Sequence, residues 1–331
     1  MNRRIFAILF VWLGALLWPP QAQAQLNHYV DSVATCNGLV PCYSTIMGAV
    51  NSAASSDSIN VFPGVYHEEV VISSKDGLVL RAHTPALKPV ITAPLESETA
   101  VTIRSMNVQV LNFVIESGSF STVFGNAASS GALIQGNHVT GAIRFRSAPW
   151  TVTDNVVVGN GFGPGIIAWL GGDGSLIQGN TLIGAPIQTD ESTDITIRNN
   201  VVYGAGIGLG GRYTSRSTVE LNVVHGGNIS GAGPYGVDNI IRRNVIRGGG
   251  LILSFYAAGN NLSSNFVSGS PADGIAVDGR NPSSANRIQN NTSVENADCD
   301  MNDTTQYSPD ATVVNIWRKN RFVTRCGTAT D

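Results

Sequence analysis

The sequence predicts an all-β solenoid, in which the chain winds into stacked coils, with a short helix capping its N-terminal end. Three observations predict this fold class: a repeated asparagine, an alternation of apolar and polar residues around it, and a composition rich in turn formers. The chain has 331 residues, of which 37 are glycine and only 13% are charged. Such a composition is typical of a turn-dense β protein and untypical of a helical or disordered one.

The asparagine recurs before a small apolar run and a glycine-rich turn, at intervals of roughly 20 to 30 residues, which is the length of one solenoid repeat. Asparagine tolerates the left-handed backbone conformation and bonds its own local backbone, so we expect each one at the sharp bend between two strands of a coil. Stacked bends would then align the side chains into an amide ladder. The ten positions are Asn112, Asn137, Asn155, Asn180, Asn200, Asn222, Asn244, Asn265, Asn291 and Asn320.

The residues around each asparagine alternate with a period of two, as in Ile195-Thr196-Ile197-Arg198. This period indicates strands with one buried face. A single coil cannot bury that face until neighbouring coils stack on it, so the sequence predicts a continuous stack.

Residues 1–24 are predicted to be an export signal outside the fold. Arg3 and Arg4 precede an apolar run from Ile5 to Trp18, and Ala22-Gln23-Ala24 supplies small residues before a cleavage site. The run is too short for an ordinary membrane span, so we expect a secreted or periplasmic mature chain without one. Residues 25–331 are predicted to form one domain because no linker interrupts the repeat. Its parts are an N-terminal cap (26–56), the coils (57–296) and a C-terminal coil and tail (297–331).

The mature chain has four cysteines, Cys36 and Cys42 near one end and Cys299 and Cys326 near the other. In an exported protein this even number predicts disulfides, and four cysteines allow three pairings. Because many coils at roughly 4.8 Å each separate the two ends, we expect local pairing within each end.

The N-terminal region carries a short apolar helix from Tyr43 to Ala54, a strand from Ser58 to Phe62, and then Pro63-Gly64-Val65-Tyr66-His67-Glu68-Glu69-Val70-Val71-Ile72. With the C-terminal segment Asn315-Ile316-Trp317-Arg318-Lys319-Asn320, this pattern resembles the right-handed parallel β-helix proteins of the pectate-lyase-like superfamily over residues 30–326. The resemblance implies a single-stranded right-handed parallel β-helix. It leaves activity open, because that superfamily includes lyases, hydrolases, esterases, epimerases and proteins without known catalysis.

A candidate site follows from aligning the repeats on their asparagines. If the isoleucine of each second strand points inward, one column of outward residues consists of Arg144, Gln188, Gly208 and Ser230. A second outward column consists of Arg146, Asp190, Gly210, Ser254 and Asp278. Loops after this strand contribute further aromatic and charged residues. They are Trp169, Arg212, Tyr213, Tyr235, Asp238, Tyr256 and Arg280. The result is a predicted shallow groove with small residues on its floor.

This groove has the composition of a carbohydrate-binding surface, because flat rings stack on sugar faces and arginine pairs with the carboxylates of uronic acids. We expect Trp169, Gln188, Tyr235, Tyr256, Asp278 and Arg280 to contact such a substrate. In a lyase, Arg144 or Arg146 would neutralise the substrate carboxylate, Arg212 or Tyr213 would serve as base, and Asp190 would orient one of them. Arginines on an exposed strand are more commonly plain solvated side chains, and that interpretation stands beside the functional one.

The sequence contains no motif for a nucleotide or another organic cofactor. A calcium site assembled from Asp173, Asp190, Glu191 and Asp194 stays open. The five histidines lie in different coils without a shared register, so a metal triad is not predicted. The net charge of −3 offers no basic field for nucleic acid.

Two functions from different classes are compatible with the sequence. The first is an exported protein that binds carbohydrate or has an envelope or extracellular structural role. The second is a polysaccharide lyase that cleaves an acidic, uronic polysaccharide by β-elimination. Outside these two classes there remains a role as a periplasmic maturation factor, resembling the β-helical nitrous-oxide-reductase accessory proteins. A compact set of acid, base and charge-neutralising groups on adjacent coils would favour the lyase, and a flat face with separated side chains would favour binding. The sequence specifies neither the sugar nor the oligomeric state.

Overall fold

The structure, a computed structural model, is a β-solenoid whose coils each pass through three parallel sheets, A, B and C, in that order. It describes residues 25–95, 97, 99–118, 120–146, 149–161, 163, 165–210, 213–231, 236–253, 256–277, 284–305 and 314–329. Every pairing between strands is parallel and joins one coil to the next, for example Ile187–Asp190 to Ile166–Trp169. The predicted all-β solenoid with one short helix is confirmed.

Sheet A consists of Asn27–Val30, Cys42–Tyr43, Ser58–Val61, Val79–Ala82, Gln109–Leu111, Leu133–Gln135, Thr151–Thr153, Leu176–Gln178, Thr196–Arg198, Thr218–Glu220, Ile240–Arg242, Asn261–Ser263, Arg287–Gln289 and Ile316–Arg318. Sheet B consists of Val65–His67, Val90–Thr92, Val114–Glu116, His138–Thr140, Val156–Val158, Thr181–Ile183, Val201–Tyr203, Val223–His225, Val245–Arg247, Phe266–Ser268 and Thr292–Val294. Sheet C consists of Val70–Ser73, Val101–Arg104, Val123–Gly125, Ile143–Phe145, Ile166–Trp169, Ile187–Asp190, Ile207–Gly208, Ile229–Ser230, Leu251–Leu253, Ile275–Val277, Met301–Asp303 and Arg325–Gly327.

One α-helix, Ile46–Ser52, caps the N-terminal end of the stack and is shorter than the predicted Tyr43–Ala54 segment. The side chain of Thr45 accepts the backbone N–H of Gly48, and the two carboxylate oxygens of Glu68 accept those of Ile46 and Met47 at 2.7 and 2.8 Å. A carboxylate at this position satisfies N–H groups that have no partner within the helix and complements its dipole. Glu68 of the first coil therefore fixes the cap. Within the described ranges, no helix is long and apolar enough to cross a membrane.

The cysteines pair locally, as predicted: Cys36 with Cys42 and Cys299 with Cys326. The second disulfide connects the last coil to the strand Arg325–Gly327, which pairs with Met301–Asp303 at the end of sheet C. It thereby attaches the strand that covers the exposed edge of this sheet.

The predicted asparagine ladder is present and lies in the core. In each of eight steps from Asn137 to Asn320, the backbone N–H and the side-chain Nδ2 of one asparagine both donate to Oδ1 of the next, at 2.9 to 3.1 Å. Each Nδ2 also donates to a main-chain carbonyl, as Asn200 does to Ile177. Buried amides must be satisfied in this way, because an unpaired one costs free energy.

Two details of the ladder prediction were wrong. Asn112 does not belong to the ladder: Phe113 occupies the buried position and donates its backbone N–H to Oδ1 of Asn137. The left-handed residue is also not the ladder asparagine but the one before it, with a φ of 65° at Asn112, 55° at Asn199 and 57° at Leu221. The bend therefore needs two residues, one in the left-handed conformation and one that turns its amide into the core.

A second ladder, which the sequence analysis missed, runs through Asn239, Asn260, Asn286 and Asn315. Each member stands five residues before a member of the first ladder, and Ser217 extends it by donating its backbone N–H to Oδ1 of Asn239. The repeated five-residue spacing of paired asparagines was the sequence signal for this second buried corner.

The apolar core fills the space between the three sheets. In sheet C the first residue of each strand from Ile143 to Ile275 is buried and aligned with its neighbours, as the predicted inward register required. The rings of Phe145 and Trp150 stack at 4.8 Å inside the core. Trp150 leaves no room for a side chain at Gly125, where an added Cβ would lie 2.0 Å from the indole.

Candidate functional site

The candidate site lies on the sheet C face, which we define as the outward-pointing residues of sheet C. Residue pairing along this face gives the order Phe124, Arg144, Ile167, Gln188, Gly208, Ser230, Ile252, Ala276 and Asn302. The predicted column of Arg144, Gln188, Gly208 and Ser230 is therefore outward, with Ile167 inserted between Arg144 and Gln188. The strand Ile166–Trp169 was missing from the predicted column when the repeats were aligned on their asparagines, although its apolar residues were visible in the sequence.

Trp169 is the last residue of that strand and not part of a loop as the sequence analysis placed it. It pairs with Asp190 on the next coil and lies beside Arg146 on the previous one. The guanidinium carbons of Arg144 and Arg146 lie 4.0 and 4.3 Å from the centre of its ring. We call Arg144, Arg146 and Trp169 the Arg–Trp–Arg cluster.

The cluster concentrates positive charge, and no acidic side chain among the described residues forms an ion pair with it. Burial, and after it the nearby charge of Arg146, lowers the pKa of Arg144 from its ordinary value. The Nε of Arg144 is buried and lacks a hydrogen-bond partner among the described residues. The ion pairs found among the described residues include neither Arg144 nor Arg146. Cation–π contact with the indole offsets part of this cost.

Phe120 completes the surroundings of Arg144, with its ring centre 5.2 Å from the guanidinium carbon. Phe120 belongs to the loop before the strand Val123–Gly125, and its ring packs against Gly163. A Cβ added to Gly163 would lie only 2.2 Å from the phenyl ring, so glycine is needed there. Sequence reasoning missed this contact because Phe120 lies outside the repeated strand positions.

Tyr213 and Tyr256 lie in the turn between sheets C and A. Isolated β-bridges join Ser215 to Val237 and Val237 to Ala258 in successive coils. Tyr213 and Tyr256 each stand two residues before a bridged residue, so they occupy the same position of coils two steps apart, about 10 Å along the axis. Both are exposed, at 59% and 40%, and both have positive φ angles of 63° and 60°. A bulky residue in this conformation is uncommon and costs free energy, so the turn presents these rings at an energetic cost.

Four predicted site residues, Arg212, Tyr235, Asp278 and Arg280, lie outside the described residues. Gln188 is exposed on the sheet C face, one coil beyond Ile167. Asp190 is half-buried next to Trp169. The structure thus brings Arg144, Arg146, Trp169 and Asp190 onto three successive coils.

The structure does not bring Tyr213 to the arginines. Three coil steps separate Arg146 from the coil of Tyr213, about 14 Å along the axis. A general base has to reach the proton it removes within hydrogen-bond distance. The face is a flat sheet with separated side chains at this point.

The four carboxylates considered for calcium do not form a cluster. Asp173 accepts the backbone N–H of Thr193 at 2.6 Å, and Asp194 forms two hydrogen bonds with Arg216, at 3.0 and 2.7 Å. The bond from Arg216 lowers the pKa of Asp194. Over the described ranges, no group of three or more histidine, cysteine, aspartate or glutamate side chains is placed to hold a metal ion. The calcium site that the sequence left open is therefore not formed by these residues.

The three-sheet solenoid with an open face on sheet C defines a right-handed parallel β-helix protein of the pectate-lyase-like kind. A family model described as "Periplasmic copper-binding protein (NosD)" matches residues 151–323, more than half of the chain. The chain belongs to this NosD family. A periplasmic family and two disulfides together indicate an exported protein. Among curated proteins, no sequence matches the chain.

Several solved structures have a similar fold, and two of them name mannuronan or a mannuronic-acid-specific polysaccharide lyase in their titles. The A-module of the Azotobacter vinelandii mannuronan C-5 epimerase AlgE6 is 13% identical, with a TM-score of 0.55, and the match covers 86% of this chain and 92% of that one. A mannuronic-acid-specific family 6 polysaccharide lyase from the human gut microbiota is 14% identical, with a TM-score of 0.59 and coverage of 90% and 83%. The DFA-IIIase of Arthrobacter chlorophenolicus A6 without its lid is 13% identical, with a TM-score of 0.51 and coverage of 88% and 98%. At these identities the likeness shows the fold alone.

Proposed function

We propose that this protein is a periplasmic β-helix protein that binds an acidic polysaccharide on the sheet C face, with Arg144 and Arg146 holding the sugar carboxylates. The observation that carries the proposal is the Arg–Trp–Arg cluster, in which two arginines without an ion-pair partner among the described residues share one indole. A bound anion would offset two unfavourable effects on the charged form of Arg144, its removal from water and its repulsion from Arg146.

The stacking geometry explains why a carboxylate fits. A guanidinium that lies on an aromatic ring uses its face for that contact and keeps its N–H edges free for hydrogen bonds. Those edges form a rigid fork that matches the two oxygens of a carboxylate. Trp169 therefore orients both arginines before a ligand arrives, which lowers the entropic cost of binding.

The shape of the face favours a polymer over a small metabolite. Gly208 and Ser230 keep the floor of the face low beyond Gln188, so an extended chain can continue along the solenoid axis. The exposed rings of Tyr213 and Tyr256 border this path and offer apolar surface for sugar rings.

Cleavage by β-elimination is less favoured than binding. The predicted neutralising arginine and the predicted base Tyr213 are three coils apart, so they cannot act on one sugar unit. A rise in ultraviolet absorbance from unsaturated uronate, when the protein is incubated with polymannuronate or polygalacturonate, would overturn this preference.

The family description also names copper, and the described residues do not fit a copper site. All four cysteines are in disulfides, so no thiolate is available. His28 bonds Asp57 in the cap, and His225 stacks on Tyr203 in sheet B. Among the described residues, no histidine belongs to a group of three or more histidine, cysteine, aspartate or glutamate side chains that could hold a metal ion. Copper prefers thiolate, thioether and imidazole ligands held together, so we assign this chain no copper chemistry.

The test is binding to polymannuronate, the kind of polymer named in two of the matching structures, measured by isothermal titration calorimetry. We expect Arg146→Ala to weaken binding by about tenfold or more, because a charge-assisted hydrogen bond contributes about 1.5–3 kcal/mol. Arg146→Lys should give an intermediate loss, since lysine keeps the charge but not the fork.

The matched control is Arg247→Ala. Arg247 is also exposed and also lies over an aromatic ring, that of Phe266 at 5.5 Å, but it is on sheet B. This variant should bind polymannuronate like the wild type. Equal losses in Arg146→Ala and Arg247→Ala would show that only net charge matters and would refute the assignment of the site.

A further inference from the structure

A separate cavity of about 350 Å³ opens on the sheet C face near its C-terminal end. Its floor consists of the outward residues Ile252 and Ala276, and Pro271 forms an apolar part of its wall. Its size falls in the range of small-molecule sites, about 300–1,000 Å³. The predicted site residues did not include any of these three.

The polar groups of the cavity are fixed by the protein and differ from the Arg–Trp–Arg cluster. Asp273 accepts the backbone N–H of Cys299 at 3.1 Å and the Nδ2 of Asn302 at 2.8 Å, so its carboxylate is held in place with further lone pairs available. Oδ1 of the exposed Asn228 accepts the N–H of Gly250 at 2.8 Å, which leaves its Nδ2 as a donor. The one charge among the described lining residues is the negative charge of Asp273.

This chemistry matches an uncharged sugar ring. Hydroxyl groups can donate to the Asp273 carboxylate and accept from the Asn228 amide, while the apolar face of the ring packs on Ile252, Ala276 and Pro271. A uronate in the same place would bring its own carboxylate toward Asp273, and like charges at that distance repel.

The cavity and the arginines lie on one face. Five coil steps separate Arg144 from Ile252 and seven separate it from Asn302, roughly 24 to 34 Å along the axis. A sugar unit is about as long as one coil step, so one extended chain of about six or seven units reaches both places.

We propose that this cavity is a second subsite that binds an uncharged pyranose unit, so that the natural ligand is a mixed polymer carrying acidic and neutral sugars. That the two sites share one polymer rests on the proposed function. The neutral-sugar subsite itself rests only on the cavity and its fixed polar groups.

The experiment uses three probes: cellohexaose, which is neutral, hyaluronan, which alternates an acidic with a neutral sugar, and polymannuronate, which is acidic throughout. The test variant is Ala276→Leu, which fills the floor of the cavity without removing a polar group. The control is Thr181→Leu, which places the same side chain outward on sheet B. Thermal unfolding of both variants checks that the fold is kept.

We expect Ala276→Leu to abolish binding of cellohexaose and to weaken hyaluronan at least tenfold, and we expect Thr181→Leu to leave the binding of both unchanged. Unchanged binding of cellohexaose and hyaluronan in Ala276→Leu would overturn the subsite. If Arg146→Ala leaves polymannuronate binding intact while Ala276→Leu abolishes cellohexaose binding, the proposed function fails and the neutral-sugar subsite stands.

Discussion

Replacing Asn200 with alanine should destabilise the middle of the solenoid by about 1–3 kcal/mol, although the residue touches neither the sheet C face nor solvent. Its Oδ1 accepts both the backbone N–H and the Nδ2 of Asn180, at 2.9 and 3.0 Å, and its own Nδ2 donates to Ile177 and to Asn222. The side chain is fully buried, so no water replaces these partners.

The magnitude follows from what the substitution leaves behind. The buried backbone N–H of Asn180 loses its acceptor, whereas the Nδ2 of Asn180 keeps the carbonyls of Val152 and Gln178. One unsatisfied buried group costs about 1–3 kcal/mol. The expected loss is therefore about 1–3 kcal/mol, set against the 5–15 kcal/mol that ordinarily separates a folded domain from its unfolded chain.

The matched control is the neighbouring Asn199, which is exposed and has a φ of 55°. Asn199→Gly should leave stability nearly unchanged, because glycine adopts this conformation without strain. Urea unfolding followed by circular dichroism gives the global effect, and amide hydrogen exchange locates it, since coils couple mainly to their neighbours. Ordinary surface substitutions change the free energy of unfolding by about 0.5 kcal/mol or less. If Asn200→Ala changes it by no more than this, the ladder does not stabilise the fold as argued.

Three further outcomes are expected. Ile207→Asp places an unpaired carboxylate in the core and should unravel the central coils, whereas Arg146→Ala should leave thermal unfolding unchanged; the reverse order would show that the assigned inward and outward register is wrong. Gly125→Ala should lower stability by about 1–3 kcal/mol, because the new Cβ meets Trp150, and a wild-type melting curve would contradict that packing. For Asp57, burial raises the pKa, but hydrogen bonds from the N–H groups of Leu26 and Ala54 and from His28 outweigh it and hold the pKa below its ordinary value. The charged form therefore stabilises the fold, fully so above the pKa of an unfolded aspartate, about 3.9, and the contribution is lost as the pH falls through the lowered folded pKa. Hydrogen exchange should show the N-terminal cap losing protection in that acid range before the central coils do, and simultaneous loss throughout would contradict this account.

The repeat and the alternation in the sequence were enough to predict the solenoid, the asparagine ladder and the inward register of sheet C. These features are local: side chains of a strand alternate between faces, and a buried amide recurs once per coil wherever the same bend recurs. The local pairing of Cys36 with Cys42 and of Cys299 with Cys326 was predictable for a related reason, because a stack of coils keeps its ends apart.

The sequence-based predictions failed where the position of a residue in the fold depends on which residue lies next to it in the adjacent coil. Asn112 looked like a ladder member in sequence, but the stack places Phe113 at the buried position and Asn112 at the left-handed corner. The second ladder was missed because its members follow a different strand, and only stacking shows that Asn239 and Asn260 lie one above the other.

The sequence by itself determined that Arg144 and Arg146 point outward, since this depends only on the period of the strand. Only the tertiary structure decided that both guanidinium groups rest on Trp169, that Tyr213 lies three coils away from them, and that Ile252, Ala276 and Asp273 enclose a separate cavity. The physical reason is that each of these contacts joins residues of different coils. Their distances are set by the number and register of the stacked coils between them, which no single repeat of the sequence contains.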